Sequence, residues 1–221
     1  QKVEISDDGV PQVELTGDLD LWAKEMTFEI KGYTDDYQKK YNDFNYLIPD
    51  TVTEVIFTDG AKPKTKEVID VDADGDGGVV AWLDDDAGTV MKVSTQITGV
   101  KAQTARCSAM FYDRSKLQNI DFKMLDTQNA TSMYNMFYNC SSLTNLDLTL
   151  LDTQNVTDMR DMFAGCSGLT SLTTGTTFKF IGTGYYLSGT WQNTAGETFN
   201  GNYNTANFPS NVADTYTKIS S

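Results

Sequence analysis

The chain contains no histidine, so neither a Ser-His-Asp nor a Cys-His nucleophilic arrangement can be assembled from it. No Gly-x-Ser-x-Gly turn and no glycine-rich phosphate loop occurs in its 221 residues, which removes the common hydrolase and nucleotide-binding signatures. Cysteine is scarce: Cys107, Cys140 and Cys166 are an odd number with no Cys-x-x-Cys among them. A zinc site therefore has little to be made from, and the three read as reduced, buried thiols rather than as disulfide partners or metal ligands. No apolar run approaches the roughly 20 residues that span a bilayer. The N-terminus has no apolar signal core, and a chain starting at Gln1 reads as a mature or trimmed segment. Positive charge is also in short supply. Against 31 Asp and Glu there are 17 Lys and Arg, a formal charge of −14 that repels phosphate backbones and anionic headgroups. Nucleic acid is excluded as a partner, and so is membrane insertion within this segment.

What the chain does have is repetition. Met110-Phe111, Met136-Phe137 and Met162-Phe163 recur at a period of 26, each pair followed six residues after the Phe by Leu117, Leu143 or Leu169. Residues 126–151 and 152–177 share 13 of 26 positions, and residues 100–125 share 8 with 126–151, so the first copy is degenerate. A fixed period of this length marks units that bury their apolar sides only against neighbours. Within the third copy Val156, Met159, Met162, Phe163 and Cys166 are spaced by threes and fours, and Asp158, Arg160 and Asp161 fall between them. This spacing predicts a short amphipathic helix, capped by Thr157 and ended by a left-handed residue at Gly165, with Asn139 and Asp113 as its counterparts. The following Leu143-Thr-Asn-Leu-Asp-Leu and Leu117-Gln-Asn-Ile-Asp-Phe match the strand half of a leucine-rich repeat. The expected fold class is thus α/β: a short leucine-rich-repeat solenoid, parallel strands on one face and short helices on the other, with β-rich N- and C-terminal caps.

Around the repeats the pattern is mostly of strands. Residues 1–47 read as an N-terminal segment holding a strand from Leu21 to Ile30 and a short helix from Tyr33 to Leu47, stopped by Pro49. Residues 48–103 read as a β-rich N-terminal cap: a strand over 52–58, then a hairpin of Val79–Leu83 and Val90–Val93 around the polar Asp84–Gly88 turn. Residues 104–175 hold the repeats. Residues 176–221 form a β-rich C-terminal cap with a turn at Asn193–Gly196, since an open end of stacked repeats must be covered.

The sharpest local motif is Asp70-Val-Asp72-Ala-Asp74-Gly-Asp76-Gly77. Asp72, Asp74 and Asp76 match the first half of a calcium loop, in which alternate carboxylates converge on one hard cation around a glycine turn. The second half is missing, because the twelfth position is Leu83 where a bidentate Glu is expected. Calcium binding and a solvated acidic turn are both open readings, and no other cofactor is expected.

The words at 131–148 and 152–169 closely resemble those of BspA-like leucine-rich-repeat surface proteins of bacteria. Ile48–Asp59, Gly78–Asp84 and Gly189-Thr-Trp191 look like segments flanking such repeats, so the resemblance covers about residues 48–221. Cys107 and Arg114 depart from it, standing where Met and Cys are usual. The resemblance implies an extracellular protein, secreted or attached to the cell surface, whose partners are host or bacterial surface proteins or glycans. The expected function is non-enzymatic binding or adhesion. The rival is a carbohydrate-active enzyme or carbohydrate-binding module on the same scaffold, for which no carboxylate pair is singled out by the sequence. In the strand halves Ile120, Phe122, Leu146 and Leu148 should point inward. By two-residue alternation Asn119, Asp121, Lys123, Asn145, Asp147 and Thr149 then form the outward, ligand-binding face.

Overall fold

The computed structural model of the chain describes residues 28–32 and 42–220. The expected strand from Leu21 and the expected helix positions 33–41 lie outside the described residues, apart from Glu29 and Ile30, which bridge to Gln103 and Asp72. Among the described residues there is one α-helix, α1 (Asp43–Leu47), started by the Asn42 side chain accepting from the Phe44 amide. A first sheet of five strands has the order β2 (Ile69–Asp70), β3 (Val80–Leu83), β4 (Val90–Ser94), β1 (Glu54–Thr58), β6 (Asn119–Asp121). The β3–β4 hairpin is antiparallel, and β1 lies parallel to both β4 and β6. Two short strands, β5 (Ala102–Gln103) and β7 (Leu125–Asp126), pair in parallel on their own. A second five-stranded sheet has the order β11 (Thr198–Asn200), β10 (Thr190–Gln192), β12 (Asp214–Ser220), β9 (Ser171–Thr174), β8 (Asn145–Leu148).

These findings overturn the expected α/β leucine-rich-repeat solenoid: the described chain is nearly all β, its strands fall into three sheets, and no helix lies in the repeats. The reason is visible in where the backbone amides go. In the second repeat Met136, Tyr138 and Cys140 donate to the carbonyls three residues back, Met133, Asn135 and Phe137. The intervening amides of Met133, Asn135, Phe137 and Asn139 instead donate to Asp158, Arg160, Met162 and Ala164 of the next repeat. An α-helix would spend every amide on the carbonyl four residues back. The alternation is made possible by left-handed residues at Ala109 and Asp113, Asn135 and Asn139, and Asp161 and Gly165, a pair in each repeat with φ between 55° and 77°. A run of right-handed residues cannot pass through such positions. Consecutive tight turns return to the same side every three or four residues, which is why the apolar spacing imitates a helix.

The inward side chains nevertheless form one continuous core. Met110, Met136 and Met162 are buried, and Phe111, Phe137 and Phe163 stack one repeat upon the next with centroids 5.8 Å apart. Dispersion and apolar burial hold this column together. Threonines in the Asp-Thr-Gln-Asn words tie the turns at the repeat junctions. Thr127 Oγ1 donates to Asp152 O and accepts from its amide, and Thr153 Oγ1 donates to Lys179 O and accepts from the Lys179 amide. The three thiols are free and buried, with Cys140 and Cys166 donating to Phe111 O and Phe137 O of the preceding repeat at 3.0 Å each. Burial pushes the Cys107 and Cys166 thiols up to about 12.

Both ends of the repeats are closed by non-repeating chain. At the first, Arg114 sits where the later copies have cysteine and donates to Asn45 O, Ile48 O and Asp50 Oδ1, satisfying the carbonyls that α1 leaves open. At the last, the Asp161 and Phe163 amides reach Gly184 O and Tyr185 O, and Phe178, Phe180, Tyr185 and Phe208 pack into an aromatic cluster beneath β10 and β12.

Candidate functional site

Strands β6 and β8 are the adjoining edges of the two five-stranded sheets. Their alternation is strict: Ile120, Phe122, Leu146 and Leu148 are buried, whereas Asn119, Asp121, Lys123, Asn145 and Asp147 are exposed and Thr149 is half-buried. Between the two edges lies an open groove of about 340 Å³, lined by Asn119, Asp121, Asp147, Thr149 and Leu150 over a floor of Ile120 and Phe122. Four of the six outward side chains expected to bind a ligand therefore share one groove. Lys123 and Asn145 stand outside its lining.

Each aspartate has one oxygen engaged locally. Asp121 Oδ1 accepts the Lys123 amide at 2.8 Å, and Asp147 Oδ1 accepts the Thr149 amide at 2.9 Å. These backbone donors offset the two carboxylates that stacking brings together; Lys123 forms no ion pair among the described residues. Asn119 Nδ2 donates to Glu54 Oε1 at 2.6 Å, so the polar surface continues onto β1. Leu150, half exposed at 50%, adds an apolar rim to the groove. The sequence pairs it with the buried Leu151, and nothing in the apolar pattern tells which of the two faces water.

A second surface was not anticipated. A cleft of about 430 Å³ between the third repeat and the C-terminal segment is lined by Asp158, Arg160, Thr183, Tyr203 and Asn204 among others. Arg160 forms a two-pronged pair with Asp158, at 3.0 and 2.7 Å, and its guanidinium lies 5.5 Å from the ring centroid of the exposed Tyr134. The Arg160 hydrogen bonds hold the Asp158 carboxyl below the ordinary carboxylate range. The triplet Met-Arg-Asp gave only an outward charge; the tyrosine lies 26 residues away in the preceding repeat, and Tyr203 lies in the cap.

The acidic loop joins β2 to β3. Asp74 and Asp76 are exposed, but Asp72 is fully buried, since its strand position is paired with Ile30 and the flanking Val71 O and Ala73 amide bond Lys31 and Glu29. One carboxylate oxygen from each of Asp72, Asp74 and Asp76 lies within 4.8 Å of the others. Asp72 Oδ2 accepts the Gly78 amide at 2.8 Å. Its Oδ1 is buried with no hydrogen-bond partner. Burial, reinforced by the nearby Asp76 carboxylate, pushes the Asp72 carboxyl up to about 7. Gly75 and Gly77 adopt φ of 76° and 83°, conformations that let the loop fold back on itself.

The family model described as "Mycoplasma protein of unknown function, DUF285" matches residues 98–176, which are the repeats and their immediate flanks. The match is consistent with a bacterial surface protein of the BspA type, while the leucine-rich-repeat architecture attached to that resemblance is corrected by the fold above. No curated protein and no solved structure matches the chain significantly. Among the described residues no helix is long and apolar enough to cross a membrane.

Proposed function

We propose that this chain is a non-enzymatic binding module of a bacterial surface protein, extracellular, and engaging a macromolecule on a host or neighbouring cell. The observation that carries this reading is the groove between β6 and β8, where Asn119, Asp121, Asp147 and Thr149 flank an apolar floor with Leu150 at its edge. Open, mixed polar and apolar surfaces on repeated strands suit extended partners. The family match over residues 98–176 supports the bacterial surface setting.

Asp121 and Asp147 lining one groove also favour a second reading, glycoside hydrolysis by a carboxylate pair. Against it stands their exposure: a general acid is a carboxyl shielded from water, and each of these is open to solvent and engaged by a backbone amide. Binding of the purified protein to cell surfaces and immobilised surface components, followed by flow cytometry and surface plasmon resonance, tests the first reading. The variant Asp121→Asn with Asp147→Asn keeps an acceptor for each turn amide and removes the charges. Binding should weaken about ten-fold or more, equivalent to about 1.4 kcal/mol, with the melting temperature nearly unchanged. Unaltered affinity moves the site away from this groove, and release of reducing sugar by the parent but not by the variant establishes the enzymatic reading.

A further inference from the structure

The acidic loop carries more than a turn requires. Asp70, Asp74 and Asp76 each accept the amide two residues on, from Asp72, Asp76 and Gly78, which is ordinary turn chemistry for aspartate. Asp72 is different. Its side chain is fully buried, Oδ1 has no partner, and the side chains that converge on it, Asp74 and Asp76, bring acceptors rather than donors. A buried carboxylate without compensation is costly, and an uncharged asparagine would accept the Gly78 amide equally well. Each of the three carboxylates brings an oxygen to within 4.8 Å of the others, and the Asp76 and Gly78 amides that reach them are neutral donors, so a positive ion would supply the compensation that Asp72 Oδ1 does not receive.

We propose that Asp72, Asp74 and Asp76 hold a calcium ion. The ligand chemistry is that of a hard cation bound only by oxygen, with alternate residues of one loop supplying the donors. Leu83, half-buried in β3, stands where a bidentate carboxylate would complete a high-affinity loop, and strands flank the loop in place of helices. The remaining coordination falls to backbone carbonyls and water. Such a site belongs to the weak class, with a Kd of about 0.1–1 mM, suited to extracellular calcium. Bound there, the ion tightens the chain around it: Asp72 pairs with Ile30, Ala73 with Glu29 and Val71 with Lys31, and Glu29 bridges in turn to Gln103. The site thereby joins residues 29–31, the β2–β3 connection and β5. This inference is independent of the proposed partner binding.

The test is a thermal melt of the full chain at neutral pH with EDTA, then with about 5 mM calcium chloride, about ten times the middle of the expected Kd range. Magnesium chloride and sodium chloride of matched ionic strength serve as comparisons, and calorimetric titration of calcium counts the ions bound. The expected result is a rise of several degrees with calcium and one ion per chain. Magnesium, which demands a tighter octahedral set, should give a smaller rise. The exposed pair Asp74→Asn with Asp76→Asn should abolish both the rise and the titration signal, while Asp86→Asn, outside the loop, keeps them. No rise in the parent, an equal rise with magnesium or sodium, or a rise retained in the loop variant overturns the proposal.

Discussion

Arg114 Nη2 donates to both the backbone oxygen and the Oδ1 of Asn45, at 2.7 and 2.8 Å, across 69 residues of chain. The buried Asn45 side chain in turn donates to Met110 O and Tyr112 O, so the degenerate first repeat and the end of α1 are satisfied by one another. Replacing Arg114 with Met keeps much of the stem's volume and removes the guanidinium donors to Asn45, Ile48 and Asp50, while the Asn45 side chain keeps its own bonds to Met110 O and Tyr112 O. Urea denaturation should then show a loss of about 2–3 kcal/mol, the scale of charged hydrogen bonds exchanged for unsatisfied carbonyls. A loss under about 0.5 kcal/mol, the range of ordinary surface substitutions, would mean that water reaches those carbonyls.

Phe137 is the middle ring of the column, stacked against Phe111 on one side and Phe163 on the other. Its truncation to alanine should cost about 3–5 kcal/mol, because a fully buried ring is lost and two rigid neighbours cannot both move into the cavity. The same change at the half-buried Tyr138, which stacks on Tyr112 at 4.8 Å, should cost less. Equal losses at the two sites would contradict the assignment of the core.

Acid should loosen the β3–β4 turn through Asp85. That carboxylate accepts from Thr89 Oγ1 and from the Thr89 and Val90 amides, and these bonds pull it down to about 2. A folded value below the ordinary 3.8 means that the charged form stabilises the fold above that pH, and that the contribution is lost as pH falls through about 2. Asp85→Asn should therefore lower the melting temperature at pH 6 and leave it nearly equal to the parent's at pH 2. A constant difference between the two proteins across that range would show the turn to be held by packing alone.

The thiols offer a direct readout of repeat closure. Cys107 and Cys166 are held near 12 by burial and Cys140 is raised as well, so alkylation at pH 8 should be slow in the native protein and complete for three thiols in denaturant without reductant. Fast native labelling of Cys140 would place the second and third repeats in an open state far more often than the hydrogen bonds allow. Fewer than three thiols in denaturant would reveal a disulfide.

The sequence made some of this plain because certain residues have few uses. Glycine, asparagine and aspartate at 165, 139 and 113 marked a left-handed position once per repeat, and that is where it falls. The second such position was concealed, since it is occupied by Asn135 and Asp161 but also by Ala109, a residue that ordinarily favours helix. With one break seen and the other unseen, the three-and-four spacing had only a helical interpretation. Side-chain direction in the strand halves was readable for a different reason: a pleated strand admits only two faces, and Ile120 and Leu146 fix which is inside. The burial of Asp72 could not be read at all, because it arises from pairing with Ile30, 42 positions earlier in a segment whose own pattern gave no partner. Arg160 and Leu150 are of the same kind, their surroundings assembled from different repeats and from the cap.

Through the tight turns the alternate amides of each repeat reach forward, Phe111 to Met136, Phe137 to Met162 and Phe163 to Tyr185, whereas Thr131 and Thr157 at the turn entrances reach back to Ala105 and Thr131. During synthesis a given copy consequently leaves the ribosome with these alternate turn amides waiting for residues that have not yet been translated. Closure must lag translation by at least one copy, and the whole series settles only when the segment carrying Gly184 and Tyr185 has emerged. At the level of the gene, a copy duplicated or lost in register brings its own donors and its own acceptors, so the number of copies can drift without any junction being redesigned.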